Sequence, residues 1–154
     1  MNVKWDIRFM QIAESVATWS KDPSSKVGAV VVDGGNSRSI LSTGYNGPPR
    51  GVDDMVDERW ERPLKYKFIA HAEANAIYNA ARKGVALGGS TIYVSTLPPC
   101  CTCAQAIIQA GIVRVVVQNI DVPERWANDL AIATEMLAEA GVQMDVLTED
   151  CKNG

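Results

Sequence analysis

Four side chains in two short stretches have the types and the spacing needed to hold a metal ion and to move protons. His71 and Glu73 stand two residues apart, and Cys100 and Cys103 form a Cys-x-x-Cys pair directly after Pro99. One imidazole nitrogen and two thiolate sulfurs suit zinc, which takes tetrahedral sets of nitrogen and sulfur. Three protein ligands leave a fourth position open, as in catalytic zinc sites. Glu73 is surplus to this ligand set, so its carboxylate is free to transfer protons.

The first of these stretches must lie at the beginning of a helix. Apolar residues at helical spacing predict a helix from about His71 to Lys83. Residues two apart within a helix point to nearly opposite sides, so His71 and Glu73 could not share a site from mid-helix. They can do so if His71 caps the helix and Glu73 lies in its first turn.

The second stretch also predicts a helix start. The helix should run from the cysteines to Ala110 and be closed by Gly111. Cys100 and Cys103 then lie on one face of the first turn. The N-terminus of a helix favours the thiolate, the form of cysteine that binds metal.

Other uses of these residues stay open at this point. A lone Cys-x-x-Cys can be redox-active, and His71, the only histidine, need not be a ligand. Cys101 could complete a four-ligand structural zinc site. It lies one residue from Cys100, about 100° around the helix, so we expect it to point elsewhere.

The composition predicts a single domain over residues 1–154, with 47% hydrophobic and 21% charged residues. No apolar run of about eighteen residues and no signal-peptide pattern is present, so we expect a cytoplasmic protein with no membrane partner. The four cysteines are not arranged as a disulfide framework, which suits a reducing compartment. The net charge of −3 argues against a nucleic-acid partner, since that normally requires a basic face.

Periodicity also predicts the rest of the fold. A first helix carries an aromatic stripe and should end near Ser20–Pro23, and a late helix should span Arg125 to Ala140. Five strands are predicted at Val27–Val32, Ile40–Tyr45, Thr91–Ser95, Val113–Val117 and Gln143–Leu147. The first two form a hairpin and the later ones alternate with helices, so we expect an α/β fold with a mixed five-stranded sheet between helices. The tail from Thr148 onward should be frayed, with Cys151 an unpaired thiol.

The connection over residues 52–68 is long, charged and irregular. Loops of this length in compact domains are usually functional. It leads directly into His71, so we expect it to lie beside the site and to help exclude bulk water from it.

With these residues identified, the chain resembles the deoxycytidylate (dCMP) deaminases of the cytidine deaminase superfamily. The resemblance covers nearly the whole length. It is carried by residues 26–30 (Lys-Val-Gly-Ala-Val), 44–47 (Gly-Tyr-Asn-Gly), 71–73 (His-Ala-Glu), 99–103 (Pro-Cys-Cys-Thr-Cys) and 107–111 (Ile-Ile-Gln-Ala-Gly). The zinc motifs identify the superfamily. The Gly-Tyr-Asn-Gly turn after the second strand narrows the resemblance to dCMP deaminases.

The resemblance implies a three-layer α/β/α sandwich of the cytidine deaminase type, one Zn²⁺ on His71, Cys100 and Cys103, and Glu73 as the proton shuttle. It further implies a homo-oligomer, most often a hexamer, activated by dCTP and inhibited by dTTP, with Mg²⁺ a possible companion of the regulatory nucleotide. Some family members carry a second, structural zinc. This chain has no second histidine to hold one.

The expected reaction is hydrolysis at C4 of the cytosine ring. Zinc lowers the pKa of bound water, so that a nucleophile is available near neutral pH. Glu73 would accept the proton, pass it to N3 and protonate the leaving amine, which gives dUMP and ammonia. Two alternatives stay open: a zinc deaminase for another cytosine compound or a tRNA base, and a zinc-stabilised binding module without turnover.

A site that prefers dCMP to deoxycytidine must place cations at the phosphate. The candidates are Lys26, Lys65, Lys67 and Arg125. Arg125 is preferred because a guanidinium can pair two phosphate oxygens and because it follows a strand expected to end near the site. Asn46 is the candidate for the deoxyribose hydroxyl.

Overall fold

The computed structural model describes residues 2–118 and 121–152, which contain five strands and six α-helices. The strands are β1 (Gly28–Val32), β2 (Ile40–Tyr45), β3 (Thr91–Val94), β4 (Arg114–Gln118) and β5 (Gln143–Leu147). The helices are α1 (Val3–Ala17), α2 (Lys65–Phe68), α3 (Ala72–Lys83), α4 (Cys101–Gln109), α5 (Glu124–Glu139) and α6 (Glu149–Lys152). A single 3₁₀ turn, Asp57–Trp60, lies in the connection before α2.

The five strands form one mixed sheet in the order β2-β1-β3-β4-β5. Strand β1 pairs antiparallel with both β2 and β3, whereas β3, β4 and β5 run parallel. Parallel pairs need crossover helices, and α4 and α5 supply them. The predicted mixed sheet of five strands is therefore confirmed.

Helices cover both faces of the sheet. On one face, α1 packs Phe9, Met10 and Val16 against Val30 of β1 and Val116 of β4. Alternate residues of the same strands face the other layer, where α3, α4 and α5 bury Ala76, Ile107 and Ala133 among others. The three-layer α/β/α sandwich is confirmed.

Two glycines set how closely helices approach the sheet. A Cβ on Gly44 of β2 would overlap the Ala72 oxygen and the Ala76 nitrogen in the backbone of α3. A Cβ on Gly28 of β1 would overlap the backbone of α1 at Ala13 and Ala17. Only glycine fits at such contacts. Gly44 therefore fixes the height of α3 above the sheet and, with it, the position of the His71 end.

The chain after β5 differs from the prediction. Instead of a frayed tail from Thr148, residues Glu149–Lys152 form one helical turn. The reason is packing, because Cys151 lies partly buried against the cluster that includes Phe9. Cys151 is a free thiol, as predicted. Residues 153 and 154 of the predicted frayed tail lie outside the described residues.

No helix of the described residues has both the length and the apolar content required to cross a bilayer.

A buried ion cluster joins α1 to the sheet. The Arg114 guanidinium donates two hydrogen bonds of 2.9 Å to the Asp6 carboxylate and one of 2.7 Å to Asp145. The Tyr93 hydroxyl donates to Asp6 at 2.7 Å. Burial raises the pKa of Asp6, but the hydrogen bonds from Arg114 and Tyr93 outweigh burial and hold that pKa below its usual value. Asp6 therefore contributes stability as an anion.

We expect Asp6→Asn to lower the free energy of unfolding by about 3 kcal/mol at pH 7, because it removes a negative charge that compensates the buried Arg114 guanidinium. The stabilisation by Asp6 is present above the ordinary carboxyl pKa of about 4 and is lost as pH falls through the depressed folded pKa. The wild-type stability should thus fall more steeply than that of the variant on acidification below about pH 4. Urea denaturation at several pH values measures both effects.

The matched control is Asp54→Asn, which removes a partly exposed partner of Lys21 held at 2.9 Å. Exposed pairs of this kind contribute about 1 kcal/mol or less. Equal losses for the Asp6 and Asp54 variants would contradict a special role for the Asp6 cluster.

Candidate active site

His71, Cys100 and Cys103 meet at the beginnings of two helices. His71 is the N-cap of α3, with φ −71° and ψ 157°, and Cys100 is the N-cap of α4, with φ −70° and ψ 171°. Both residues have extended rather than helical backbone, so their side chains turn across the helix ends. Cys103 follows in the first turn of α4 and is buried. The predicted position of His71 at the cap is confirmed.

The distances fit a zinc ion. His71 Nδ1 lies 3.4 Å from Cys100 Sγ and 3.5 Å from Cys103 Sγ. The three ligand atoms all lie within 4.8 Å of one another. A tetrahedral zinc with ordinary bond lengths separates its nitrogen and sulfur ligands by about 3.6 Å. Within the described residues this is the one group of three metal-binding side chains.

Cys101 faces away from this group. Its backbone amide donates to the Asp129 carboxylate on α5 at 3.0 Å, and its thiol donates to the Asp129 backbone oxygen at 3.2 Å. The Asp129 carboxylate thereby satisfies one of the free amides at the start of α4. Within the described residues the ligand group consists of three residues without Cys101, which would leave the fourth position of a tetrahedral ion open.

The ligand side chains already interact as an acid–base cluster. Hydrogen bonds from Cys103 and His71 lower the pKa of Cys100, against the opposing effect of burial. The same hydrogen bond to Cys100, together with burial, raises the pKa of Cys103. The pKa of His71 is raised mainly by its hydrogen bond with Cys100. One cysteine is thus ready as a thiolate, and binding zinc would displace the remaining protons.

Glu73 lies beside the ligands without belonging to their set. It is in the first turn of α3 and only 6% of its surface is exposed. Burial raises the pKa of its carboxyl, and a hydrogen bond with the Cys103 thiol and the charge of His71 oppose that effect. The site therefore joins a three-ligand metal centre to an adjacent buried group that can carry a proton.

A cavity opens over this centre. The residues that line it come from five segments of the chain and include the site residues His71, Glu73 and Cys100. The other lining residues are Asp22, Ser25, Val27, Asn46, Arg62, Lys65, Tyr66, Ile69, Ala72, Thr96, Leu97, Pro98, Trp126 and Leu130. Three of them belong to the 52–68 connection, so its predicted place beside the site is confirmed. The cavity gives a small molecule access to the centre.

The family model for the cytidine and deoxycytidylate deaminase zinc-binding region matches residues 3–119. The chain belongs to the cytidine and deoxycytidylate deaminase family. It is therefore an enzyme, a hydrolytic deaminase of the deoxycytidylate deaminase type with a zinc-binding region, and this assignment argues against the binding-module alternative.

Individual relatives agree with this assignment. An uncharacterised deaminase of Aliivibrio fischeri is 43% identical over 149 residues, which span 96% of each chain. Human deoxycytidylate deaminase is 42% identical over 120 residues, or 74% of this chain, and the match spans 64% of the human protein. This chain thus aligns with less than two thirds of the human relative.

A solved structure provides a third comparison. The crystal structure of dCMP deaminase from the cyanophage S-TIM5 in complex with dCMP and dUMP is 28% identical and has a TM-score of 0.75. The match covers 96% of this chain and 99% of the phage enzyme. The predicted cytidine deaminase-like fold is thereby confirmed.

Two of the predicted substrate residues of this deaminase line the cavity, but their polar groups are used within the protein. Asn46 accepts from the Val27 amide at 2.8 Å and donates to Asp22 at 3.1 Å and to the Ser25 oxygen at 2.8 Å. Lys65 pairs with Asp22 at 2.7 Å. Both side chains therefore brace the wall of the cavity.

The other predicted cations of the deaminase lie elsewhere. Lys26 and Lys67 are exposed and are not among the residues that line the cavity. Arg125 is also exposed and outside the lining, with its guanidinium over the ring of Trp126, 5.6 Å from the centroid. The structure thus brings Asn46 and Lys65 to the cavity and leaves the remaining three at the surface.

Sequence reasoning did not single out Asp22, Arg62, Tyr66 or Trp126 as site residues. Tyr66 and Trp126 meet edge to face in the cavity wall, with ring centroids 6.1 Å apart. The Asp-Pro-Ser-Ser run at 22–25 does signal a turn in which the carboxylate accepts nearby amides. No local pattern predicts the pairing of Asp22 with Lys65 or the contact between Tyr66 and Trp126.

The ligand set can be tested with two serine variants of neighbouring cysteines. Cys101→Ser should retain about one zinc per chain, because its side chain contacts Asp129 rather than the metal group. Cys103→Ser should lose the zinc and the activity, since a hydroxyl is a far weaker zinc ligand than a thiolate. Metal analysis of the purified variants measures the content. Loss of zinc from Cys101→Ser alone would contradict the three-ligand assignment.

Proposed function

We propose that this deaminase converts dCMP and water to dUMP and ammonia. The observation that carries the proposal is the buried Glu73 carboxyl next to an open three-ligand zinc site, on the wall of a cavity large enough to admit a small molecule. The choice of dCMP is supported by the relatives named deoxycytidylate deaminase and by the similar phage enzyme that binds dCMP and dUMP. The product dUMP would supply thymidylate synthesis.

His71, Cys100 and Cys103 would hold the zinc. When bound, the ion supplies Lewis acidity that makes a nucleophile available from water near neutral pH. The protein contributes the fixed geometry of the ligands, because both helix starts are buried against the sheet.

Glu73 would carry the proton through the reaction. Its carboxylate accepts a proton from the attacking water and donates it to N3 of the cytosine ring, which makes C4 more electrophilic. The carboxyl then protonates the amino group that leaves C4 as ammonia. Burial raises the pKa of this carboxyl, and a higher pKa makes the carboxylate a stronger base toward the attacking water.

The cavity wall would hold the base and keep bulk water out. Leu97, Trp126 and Leu130 supply apolar surface around the site. Exclusion of water strengthens the electrostatic interactions between Glu73 and the substrate.

The proposal extends to regulation and assembly, where resemblance is the only support. The deaminase would form a homo-oligomer, most simply a hexamer, with dCTP as activator and dTTP as inhibitor, and with Mg²⁺ accompanying the effector. It would act on a free nucleotide in the cytoplasm and would need neither nucleic acid nor membrane. Light scattering and substrate-saturation curves with each effector test these points, and a monomer with hyperbolic kinetics would contradict them.

The substrate is tested by ammonia release from wild-type enzyme. The panel should contain dCMP, deoxycytidine, cytidine, cytosine, guanine and an RNA hairpin. We expect dCMP to have the highest kcat/KM. A higher value for any other member would show that the deaminase acts on a different substrate.

The role of Glu73 is tested by Glu73→Gln, which keeps the size and removes the titratable proton. Zinc content and dCMP binding should be retained, whereas kcat should fall by about 10²–10⁴-fold or more, because the group acts at two steps. The matched control is Glu135→Gln on the exposed face of α5, which should leave kcat unchanged within about twofold. Near-normal turnover of the Glu73 variant would remove the residue from the mechanism.

A further inference from the structure

Two positively charged side chains of the described residues, Arg62 and Lys65, line the cavity beside His71. Both come from the connection that leads into α3. A substrate with a phosphate needs a cation that is free to meet it. The two side chains differ in what they already contact, and that difference decides between them.

Lys65 is already neutralised. Its ammonium lies 2.7 Å from Asp22 Oδ2 and donates to Ser24 Oγ at 3.1 Å, and only 11% of its side chain is exposed. Asp22 is 1% exposed and also lines the cavity. Burial raises the pKa of Asp22, but the hydrogen bonds from Lys65 and from the Ser24 and Ser25 amides outweigh burial. The net effect is a pKa below the usual carboxyl value, so the carboxylate stays charged. A phosphate placed at Lys65 would therefore also meet the negative charge of Asp22.

Arg62 has no such partner. Its guanidinium lies over the ring of Tyr66, 6.0 Å from the centroid, and the residue is exposed. No carboxylate of the described residues lies within ion-pair distance of it. Its planar fork of N–H donors is thus available to an anion that enters the cavity.

The aromatic wall places this guanidinium at the cavity. Tyr66 contacts both Arg62 and Trp126, and all three residues line the cavity that contains His71 and Glu73. Lys26 and Arg125 are outside that lining. The Arg62 guanidinium and the reacting groups therefore line the same cavity. A nucleotide needs both, because its base must reach the reacting groups while its phosphate meets a cation.

We infer that Arg62 is the specificity-determining residue that binds the 5′-phosphate of the substrate. The inference rests on the proposed deamination of dCMP and names the group that selects the monophosphate over the free nucleoside. Arg62 takes the place of Lys26, Lys65, Lys67 and Arg125, the four candidates taken from the sequence. Lys65 instead braces the wall through Asp22.

The test compares dCMP with deoxycytidine, which has the same reacting base and lacks the phosphate. Arg62→Gln should lower kcat/KM for dCMP by about 10- to 100-fold, the loss expected for one charge-assisted contact. The loss for dCMP should lie mainly in KM. The kcat/KM for deoxycytidine should change by less than about twofold. Arg62→Lys should restore part of the preference, because it keeps the charge and loses the bidentate fork.

The matched control is Arg125→Gln, which removes an equally exposed guanidinium from outside the lining. It should leave both substrates unchanged within about twofold. Melting temperatures of all three variants check that folding is intact, as expected for exposed positions.

The outcomes separate the inference from the function on which it rests. Wild-type enzyme inactive on dCMP would overturn the proposed function and Arg62 with it. Active wild type together with an unchanged Arg62→Gln would overturn Arg62 alone. Equal losses of kcat/KM for dCMP and deoxycytidine in Arg62→Gln would show that Arg62 has a structural role. A loss for dCMP alone in Arg125→Gln would show that Arg125 binds the phosphate instead.

Discussion

The meeting of two helix N-termini is the constraint on which the rest of the site depends. The ligands His71 and Cys100 are both N-caps with extended backbone, and Cys103 and Glu73 occupy the first turns behind them. Within one helix, residues spaced like His71 and Glu73 would diverge. The cap geometry removes that conflict, and the positive ends of both helix dipoles favour the thiolate ligands. Gly44 allows α3 to lie close enough to the sheet for its N-terminus to reach α4.

Charge balance explains why the same place can hold both a metal and a proton carrier. Two thiolates offset the charge of a divalent zinc ion, and His71 adds no charge as a neutral ligand. Burial raises the pKa of the Glu73 carboxyl, and the hydrogen bond with Cys103 and the charge of His71 oppose that effect. The carboxyl lies beside the ligand group without being a member of it.

In the cavity wall, polar side chains are paired with one another. Asp22 joins three segments of the chain, since it accepts from Lys65, from Asn46 and from the amides of its own turn. This network connects the three segments through hydrogen bonds and one ion pair. The Arg62 guanidinium, which has no carboxylate partner among the described residues, lies next to the edge-to-face pair of Tyr66 and Trp126 in another part of the cavity wall.

The sequence by itself determined the layers of the fold and indicated the three candidate metal ligands and the carboxyl beside them. These depend on local rules, namely the period of apolar residues, the direction of side chains in a first turn and the ligand preferences of zinc. Cys101 could be set aside for the same local reason, its angle from Cys100 around the helix. Only the tertiary structure decided which polar side chains were already used. Asn46, Lys65 and Arg62 look equally available in the sequence, but Asp22 occupies the first two and leaves the third free. Pairing of this kind joins segments distant along the chain, and neither periodicity nor spacing carries information about it.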